Sequence, residues 1–449
     1  MFATQRQRGW YAVVAALSAS VLVLSACSSS DEGGDSNDGT PDAKPAAEGG
    51  PYGKFTGQDL TLSRWAGDPW TAGQKAAADE WSKQTGGTLS LDAVPYENLH
   101  DKQALTLGGA ADYDIVYVHP SWFGEFAEAG YLAPIDDYLS DAKRNPPGFS
   151  ADSYLSNVLA QGKYDGKQYC LPDFVSTVVV GYRTDLFSQA GIPAPKNTDD
   201  VLAAAAKLNG KDGVAGIVMP GKATGAVADV FGSLLTAQGN WWYGPDGKKS
   251  TMDVKAATKA MDFYTEAAKS APTGLLNMAV DDAATVAAQG KAAIVVDTTP
   301  ALSALEDSAK STTAGKWAYV PLTVGSGKPG GELIYWNWCI AANSSNKSAA
   351  YSFLQYYTDT AQQAKVAIAA GTLGATKDFY QDENVTSKLP FLPAVNSALE
   401  NSNPQPSVAS WPSIQNTIET TIQKAVQGQT SDDQAVKDIQ EALEALGSS

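Results

Sequence analysis

The sequence predicts a two-lobed α/β protein. At 449 residues the chain is too long for one compact core, which favours two domains. Strand-like and helix-like segments alternate, which is typical of β–α–β units with mostly parallel sheets flanked by helices. The stretch at residues 164–187 leads from a turn through a strand-like run to a helix start, and the run is interrupted by Pro172, which cannot donate a hydrogen bond to a neighbouring strand. We interpret this interruption as the place where the chain first crosses between the lobes.

The first part of the chain shows the alternation most clearly. The predicted strands are 58–66, 89–94 and 114–118, and the predicted helices are 73–85, 97–108 and 121–129. In parallel sheets ligands bind beyond the carboxyl ends of the strands. The segments 65–68 and 119–122, which follow the first and third strands, are therefore expected to carry function.

After the interrupted strand the same alternation continues, and the chain ends in helices. Strands are predicted at 213–219, 291–297, 317–321 and 335–341, and helices at 185–190, 199–208, 226–238, 254–268 and 281–289. The last part is predicted to be helical at 347–358, 360–369, 391–400, 412–425 and 431–446. Gly191 and Gly290 stand where two of these helices are expected to end.

Composition narrows the classes of partner. Acidic residues outnumber basic residues 49 to 32, which gives a formal net charge of −17. Nucleic acid and anionic lipid headgroups both require a basic face, so neither is a predicted partner. The chain has only two histidines and no cluster of metal ligands, so we expect no metal and no cofactor.

The N-terminus has the features of an export signal. Two arginines precede an apolar segment at residues 10–24, and a Leu-Ser-Ala-Cys sequence ends at Cys27. This sequence resembles the bacterial lipobox, which implies that residues 1–26 are removed and Cys27 is acylated. A plain secretory peptide or a short membrane anchor is the alternative. Residues 27–54 are rich in Ser, Asp, Gly, Pro and Ala, which predicts a disordered tether. The protein is thus expected at the extracellular face of the bacterial cell membrane.

Two other cysteines, Cys170 and Cys339, remain after the predicted cleavage. Export places them in an oxidising compartment, which favours a disulfide between them. Two buried free thiols are the alternative.

Motifs of nucleotide-binding enzymes fail in their context. The 325–330 segment has the glycine spacing of a dinucleotide site, but it contains Pro329 and precedes an extended segment. Residues 216–222 resemble a phosphate-binding loop, but Ala223 stands where Ser or Thr would bind magnesium. No enzyme is predicted from these motifs.

Aromatic residues at expected loop positions, mixed with acids and amides, indicate a different chemistry. Trp and Tyr stack on the apolar C–H faces of sugars, and carboxylates accept paired hydrogen bonds from vicinal hydroxyls. For any single Trp, a place in the core is the alternative. Together these residue types predict a carbohydrate-binding cleft.

Several segments in a fixed order carry a family resemblance. They are 113–118 (YDIVYV), 165–172 (DGKQYCLP), 181–187 (GYRTDLF), 289–294 (QGKAAI) and 336–347 (WNWCIAANSSNK). Over residues 58–424 they resemble the extracellular solute-binding lipoproteins of ABC importers, in the group that includes maltose-binding protein. Cys170 and Cys339 depart from the family pattern at matched hinge strands, which strengthens the predicted disulfide.

The resemblance implies a periplasmic-binding-protein-like fold, with two lobes joined by a three-crossing hinge that closes on a ligand. We assign 58–172 with 298–337 to lobe 1, and 173–297 with 338–449 to lobe 2. The crossings are expected near residues 172–174, 297–299 and 336–339.

The implied function is non-catalytic capture of a mono- or oligosaccharide or sugar alcohol by a monomer, which delivers it to ABC permease subunits. Trp241 or Trp242, Trp336 and Trp411 are expected to stack on the ligand. The residues assigned to the cleft are Trp65, Asp68, His119, Ser121, Asp173, Phe174, Trp241, Trp242, Asp297, Thr298, Glu332, Trp336, Trp338 and Trp411. The alternatives are another solute, such as a polyamine, a peptide or a chelate, and an exported glycoside-processing enzyme.

Overall fold

A computed structural model describes residues 50–66, 69–109, 113–244, 249–407 and 410–446. The predicted signal peptide, Cys27 and Asp68 lie outside the described residues, as does the predicted tether up to residue 49. Within the described ranges, no helix combines the length and the apolar character needed to cross a membrane.

Strands and helices alternate along most of the chain. The strands are β1 (Asp59–Trp65), β2 (Thr88–Val94), β3 (Ile115–Val118), β4 (Lys163–Tyr164), β5 (Lys167–Gln168), β6 (Cys170–Ser176), β7 (Val178–Arg183), β8 (Ile294–Thr298), β9 (Trp317–Pro321), β10 (Gly331–Ile340) and β11 (Ser402–Pro404). The helices are α1 (Pro69–Thr85), α2 (Tyr96–Leu107), α3 (Pro120–Glu128), α4 (Asp136–Ser140), α5 (Ser156–Leu159), α6 (Thr184–Ala190), α7 (Thr198–Leu208), α8 (Ala226–Thr236), α9 (Val254–Ala268), α10 (Val280–Ala288), α11 (Thr299–Glu306), α12 (Lys347–Thr358), α13 (Thr360–Ala370), α14 (Glu383–Thr386), α15 (Leu392–Leu399), α16 (Trp411–Val426) and α17 (Asp432–Leu446).

Local sequence fixes several helix ends. The side chains of Asn197 and Asp253 accept hydrogen bonds from backbone N–H groups in the first turns of α7 and α9. Gly191 ends α6 with a φ of 62°, a left-handed conformation that glycine adopts without steric cost.

The first sheet has the strand order β11-β10-β3-β1-β2, with β6 also paired to β10. β1 is parallel to both β2 and β3, as predicted for β–α–β units. β10 runs antiparallel to β3 and β6. The carboxyl ends of β1 and β3 therefore meet at one edge of this sheet.

The second sheet has the strand order β8-β7-β9, and both of its pairings are antiparallel. The expectation of a mostly parallel sheet is wrong for these strands. β7 carries the chain away from the first sheet and β8 carries it back, so the two neighbours run in opposite directions. The predicted strand at 213–219 forms only isolated parallel bridges, Ala215 with Ala292 and Val218 with Val295.

Buried apolar side chains form two cores, and the first of them extends from the first sheet to one face of the second sheet, where it includes Val179 and Val295. The first core includes residues of β1, β3, β6 and β10 together with α12, α13 and α15. The second core includes residues of β7, β8, α8 and α9 together with α16 and α17. We call the first sheet with the helices that pack on it the first lobe, and the second sheet with its helices the second lobe.

This distribution differs from the assigned lobe boundaries in two segments. Residues 338–370 are assigned to lobe 2, but β10 lies in the first sheet, and α12 and α13 pack with α1 in the first core. Residues 317–321 are assigned to lobe 1, but β9 pairs with β7 in the second sheet. The lobe to which each segment belongs is set by the sheet on which it packs and not by its position in the sequence.

The interruption at Pro172 is a β-bulge and not a crossing. Phe174 lies opposite Trp336 and Pro172 lies opposite Asn337, so Asp173 is an extra residue in β6. Pro172 lacks a backbone N–H and suits this irregular position. The chain passes from the first sheet to the second at Thr177, between β6 and β7.

Cys170 and Cys339 are bonded to each other, which confirms the predicted disulfide. They are cross-strand partners in β6 and β10, with Cα atoms 4.3 Å apart, and both are fully buried. The bond therefore joins two strands of one sheet, and not two crossings of the hinge.

The double variant Cys170→Ala/Cys339→Ala is expected to lose about 2–5 kcal/mol in the free energy of unfolding, because the bond closes a long loop in the unfolded chain. The two cysteines are 169 residues apart in sequence. Urea unfolding monitored by circular dichroism measures the difference, with reduced wild-type protein as the control. Equal urea midpoints for the variant and the oxidised wild type would contradict this prediction.

Candidate functional site

A cavity of about 1810 Å³ is lined by residues from both lobes. The first lobe contributes aromatic side chains from strand ends and from the β6–β10 pair. The second lobe contributes the first turn of α8, one face of α10 along its whole length and the first half of α16, and α11 lines the cavity as well. Lobes that meet at such a cavity provide a common form of small-ligand site.

One wall of the cavity is aromatic and consists of Trp65, His119, Phe174 and Trp336. We call these four residues the aromatic wall. Trp65 ends β1 and His119 follows β3, so the strand-end rule locates both. Trp336 of β10 lies opposite Phe174 of β6. The wall therefore combines two strand ends with one cross-strand pair.

Trp336 is the centre of the aromatic packing. Its ring centroid lies 4.6 Å from that of Tyr117 in a stacked arrangement, and 4.8 Å from that of His119 in an edge-on arrangement. The ring of Trp65 lies 6.2 Å away. These offset and edge contacts are the favoured geometries of aromatic pairs, so the wall holds its shape before any ligand arrives.

His119 is a neutral side chain in this wall. Burial lowers its pKa to about 3, because the buried site disfavours the charged imidazolium. His119 precedes α3, and its Nδ1 lies 2.8 Å from the hydroxyl of Ser121. A neutral imidazole offers one donor and one acceptor, which suits hydrogen bonding to a hydroxyl.

The opposite wall is polar and consists of Asp229, Gln405, Gln415, Asn416 and Glu419. We call these residues the polar wall. Glu419 of α16 accepts hydrogen bonds from the backbone N–H groups of Gly225, Val227 and Ala228 at 2.8, 3.1 and 3.3 Å. Its carboxylate thus satisfies the free donors at the start of α8.

Asp229 lies in the first turn of α8, where its Oδ1 accepts a hydrogen bond from Gln405 at 3.2 Å. Glu332 lies behind it, fully buried. Gly232 leaves room for this carboxyl, since a Cβ at that position would overlap Glu332 Oε2.

The carboxyl groups in the polar wall and behind it have raised pKa values. Burial and the charge of Glu419 raise the pKa of Asp229 to about 8. Burial raises the pKa of Glu419 to about 7, although its three backbone donors oppose the shift. Burial and the neighbouring Asp229 raise the pKa of Glu332 well above its usual range. Near neutral pH the wall can therefore donate as well as accept hydrogen bonds.

Residues 68–364, more than half of the chain, match the family of bacterial extracellular solute-binding proteins. The chain belongs to this family. A probable ABC transporter-binding protein of Deinococcus radiodurans is 26% identical over 352 residues, which cover 75% of this chain and 80% of that protein. The mannitol-binding protein of Pseudomonas aeruginosa is 27% identical over 337 residues, which cover 70% of this chain and 75% of that protein.

A solved structure shows the same fold. It is that of an ABC transporter solute-binding protein from Agrobacterium radiobacter K84 in complex with ribitol. The TM-score is 0.76 at 24% identity, and the alignment covers 88% of this chain and all of that one. The two-lobed α/β fold predicted from the sequence is thereby confirmed.

Five of the residues assigned to the cleft line the cavity of this solute-binding protein. They are Trp65, His119, Phe174, Thr298 and Trp336. Ser121 lies behind them, buried and hydrogen-bonded to His119. Asp68 lies outside the described residues.

Three of the expected tryptophans belong to the second lobe and do not line the cavity. Trp242 and Trp411 are fully buried in the second core, with ring centroids 5.7 Å apart, and Trp241 is half-buried beside them. Trp411 begins an apolar stripe that continues through Ile414 and Ile418 along α16. The helical spacing of this stripe turns Trp411 toward the core and away from a ligand.

The remaining assigned residues are also buried away from the cavity. Trp338 packs against Tyr117 and Tyr357 in the first core. Asp173 lies beneath the aromatic wall, where burial raises its pKa to about 6. Asp297 and Glu332 are fully buried at strand positions that face the interior. None of the four is placed to touch a ligand directly.

Sequence reasoning missed the polar wall. Gln415, Asn416 and Glu419 occupy a face of α16 beside its apolar stripe, at spacings of one, three and four residues. That helical spacing was the available signal. It marks a polar face, but the sequence alone does not show that the face borders a cavity.

The pH dependence of stability tests the buried state of Glu419. Its carboxyl stays protonated to about pH 7 in the folded protein, against an ordinary value of 4.5. Folding therefore becomes less favourable as the pH rises through this window, because only the unfolded chain ionises readily. Relative to wild type, the free energy of unfolding of Glu419→Gln is expected to rise by about 3 kcal/mol from pH 4.5 to 7.

Urea titrations at several pH values measure this difference. Glu441→Gln, at an exposed position of α17, is the matched control and should show no such trend. A pH-independent difference between Glu419→Gln and wild type would disprove the buried protonated carboxyl.

Proposed function

We propose that this solute-binding protein captures a sugar or sugar alcohol between its lobes and delivers it unchanged to the permease subunits of an ABC importer. The observation that carries the proposal is the opposition of two different walls in one cavity. The aromatic wall offers ring faces on which apolar C–H faces stack. The polar wall offers carboxyl and amide groups that exchange hydrogen bonds with hydroxyls.

The named ligands of similar proteins support the same class. One relative is a mannitol-binding protein, and a protein of the same fold was solved with ribitol. Closure of the lobes around the ligand would bring both walls into contact with it, and the closed form would be the one that the permease accepts.

A polyamine is the second candidate, because the polar wall contains two acids, Asp229 and Glu419. Burial raises the pKa of Asp229 to about 8, so this wall carries less negative charge at neutral pH than its composition implies. Charges of both signs line the rest of the cavity, at Asp281, Glu306, Asp307, Lys310 and Lys388. This mixture, together with the weak ionisation of the polar wall, favours a neutral polyhydroxy ligand over a polycation. A peptide or a chelate has no specific observation in its favour.

Replacement of Trp336 by Ala is expected to weaken sugar or polyol binding at least about tenfold, because it removes the centre of the stacking surface. Calorimetric titration against mannitol, ribitol, maltose and spermidine measures affinity. Trp241→Ala, a half-buried tryptophan outside the cavity, is the control and should bind like wild type.

Two results would overturn the proposed function. The first is binding of spermidine with no binding across a broad sugar and polyol panel. The second is release of reducing sugar from oligosaccharides, which would indicate a glycoside-processing enzyme.

The proposal includes acylation at Cys27, action as a monomer and attachment to the extracellular face of the membrane. Replacement of Cys27 by Ser in the native host should move the protein from the membrane fraction into the medium, because the thiol that receives lipid is absent. Fractionation followed by immunoblotting measures this. Retention of the variant in the membrane fraction would show that something other than a lipid on Cys27 anchors the protein.

A further inference from the structure

A buried guanidinium lies directly behind the aromatic wall. Arg64 of β1 is fully buried. Its guanidinium carbon lies 5.4 Å from the ring centroid of Trp65 and 5.6 Å from that of Tyr117. A cation at this distance from two rings interacts favourably with both, and the interaction is strongest where water is excluded.

Arg64 is held in place by hydrogen bonds on two sides. Its Nε donates to the backbone carbonyl of Trp65 at 2.6 Å, and its Nη1 donates to the side-chain carbonyl of Gln74. The amide of Gln74 donates in turn to Asp173 Oδ2 at 3.3 Å. A buried charge is costly unless such partners surround it, so removal of one partner disturbs the whole set.

The bulge in β6 places Asp173 within reach of Gln74 and so adds it to the hydrogen-bonded set around Arg64. It is the extra residue opposite no partner in β10, and its backbone carbonyl accepts a hydrogen bond from Gln363 at 3.0 Å. The strand thus presents Phe174 to the cavity and the adjacent Asp173 to the buried side of the wall. The carboxylate supplies the negative charge that the guanidinium needs.

The aromatic rings behind the wall connect Arg64 to Trp336. Tyr117, which Arg64 contacts, stacks on Trp336 at 4.6 Å and on Trp338 at 4.4 Å. Arg64 therefore touches Trp65 directly and reaches Trp336 through a single ring.

We propose that Arg64 is a positioning residue for ligand binding, held by Gln74 and Asp173, which orients Trp65 directly and Trp336 through Tyr117. The proposal rests on the proposed function, because it assumes that the ligand stacks on the aromatic wall. A purely structural role for Arg64 would stabilise the first lobe without affecting the geometry of these two rings.

The second lobe provides a matched control. Arg183 is also buried, its guanidinium carbon lies 5.9 Å from the ring centroid of Trp317, and it pairs with Asp185 at 2.6 Å. It shares the chemistry of Arg64 but has no contact with the aromatic wall. Arg183→Met should lower stability without changing ligand affinity.

The test uses protein labelled with 5-fluorotryptophan. The fluorine resonances of Trp65 and Trp336 are assigned with Trp65→Phe and Trp336→Phe. In Arg64→Met both resonances should shift or broaden, whereas in Arg183→Met they should stay unchanged. Asp173→Asn keeps the shape of the side chain, removes its charge and should act in the same direction, so it serves if Arg64→Met does not fold.

Affinity is measured with whichever of mannitol, ribitol or maltose binds the wild type. Arg64→Met and Asp173→Asn should weaken it at least about tenfold, and Arg183→Met should leave it unchanged. Unmoved Trp65 and Trp336 resonances, or equal loss of affinity in Arg183→Met, would overturn the positioning role. If spermidine binds and nothing in the broad sugar and polyol panel does, the proposed function fails, and the fluorine spectra still decide whether Arg64 orients the two rings.

Discussion

The antiparallel pairing of β6 with β10 is the interaction on which the rest of the structure depends. One end of the ladder is closed by the Cys170–Cys339 disulfide in the first core. The other end leads, through Thr177, to the second sheet. Between these ends lies the pair that faces the cavity, Phe174 and Trp336. The same two strands thus hold the first lobe together, carry half of the aromatic wall and connect it to the second lobe.

The two walls of the cavity differ because different elements build them. Strands present alternate side chains, so one edge of the first sheet can bring large rings together in contact. The second lobe faces the cavity with helices, and the free N–H groups at the start of α8 donate to the carboxyl of Glu419. Stacking surface and hydrogen-bonding groups therefore come from opposite lobes, and only a ligand between them can use both.

Sequence patterns predicted the α/β class, the two lobes, the disulfide and the strand-end residues Trp65 and His119, because each depends on local periodicity or on a general rule for parallel sheets. They did not predict which tryptophans face the cavity. Trp336 and Trp338 are two residues apart on one strand, yet the bulge and the neighbouring β3 decide which one reaches the surface. Trp411 and Glu419 lie on one helix, and only the packing of that helix shows that its polar side borders the site. Tertiary contacts settle such choices, and they leave no local signature.

The buried carboxyl groups on the two sides of the cavity have different partners and different pKa values. In the first lobe the carboxyl of Asp173 is linked through Gln74 to a guanidinium, and burial raises its pKa only to about 6. In the second lobe burial raises the pKa of Asp229 to about 8 and that of Glu419 to about 7, which favours their neutral forms. At neutral pH the support of the aromatic wall is therefore mostly ionised, while the carboxyls of the polar wall are close to their pKa values and can either donate a hydrogen bond to a ligand or accept one from it.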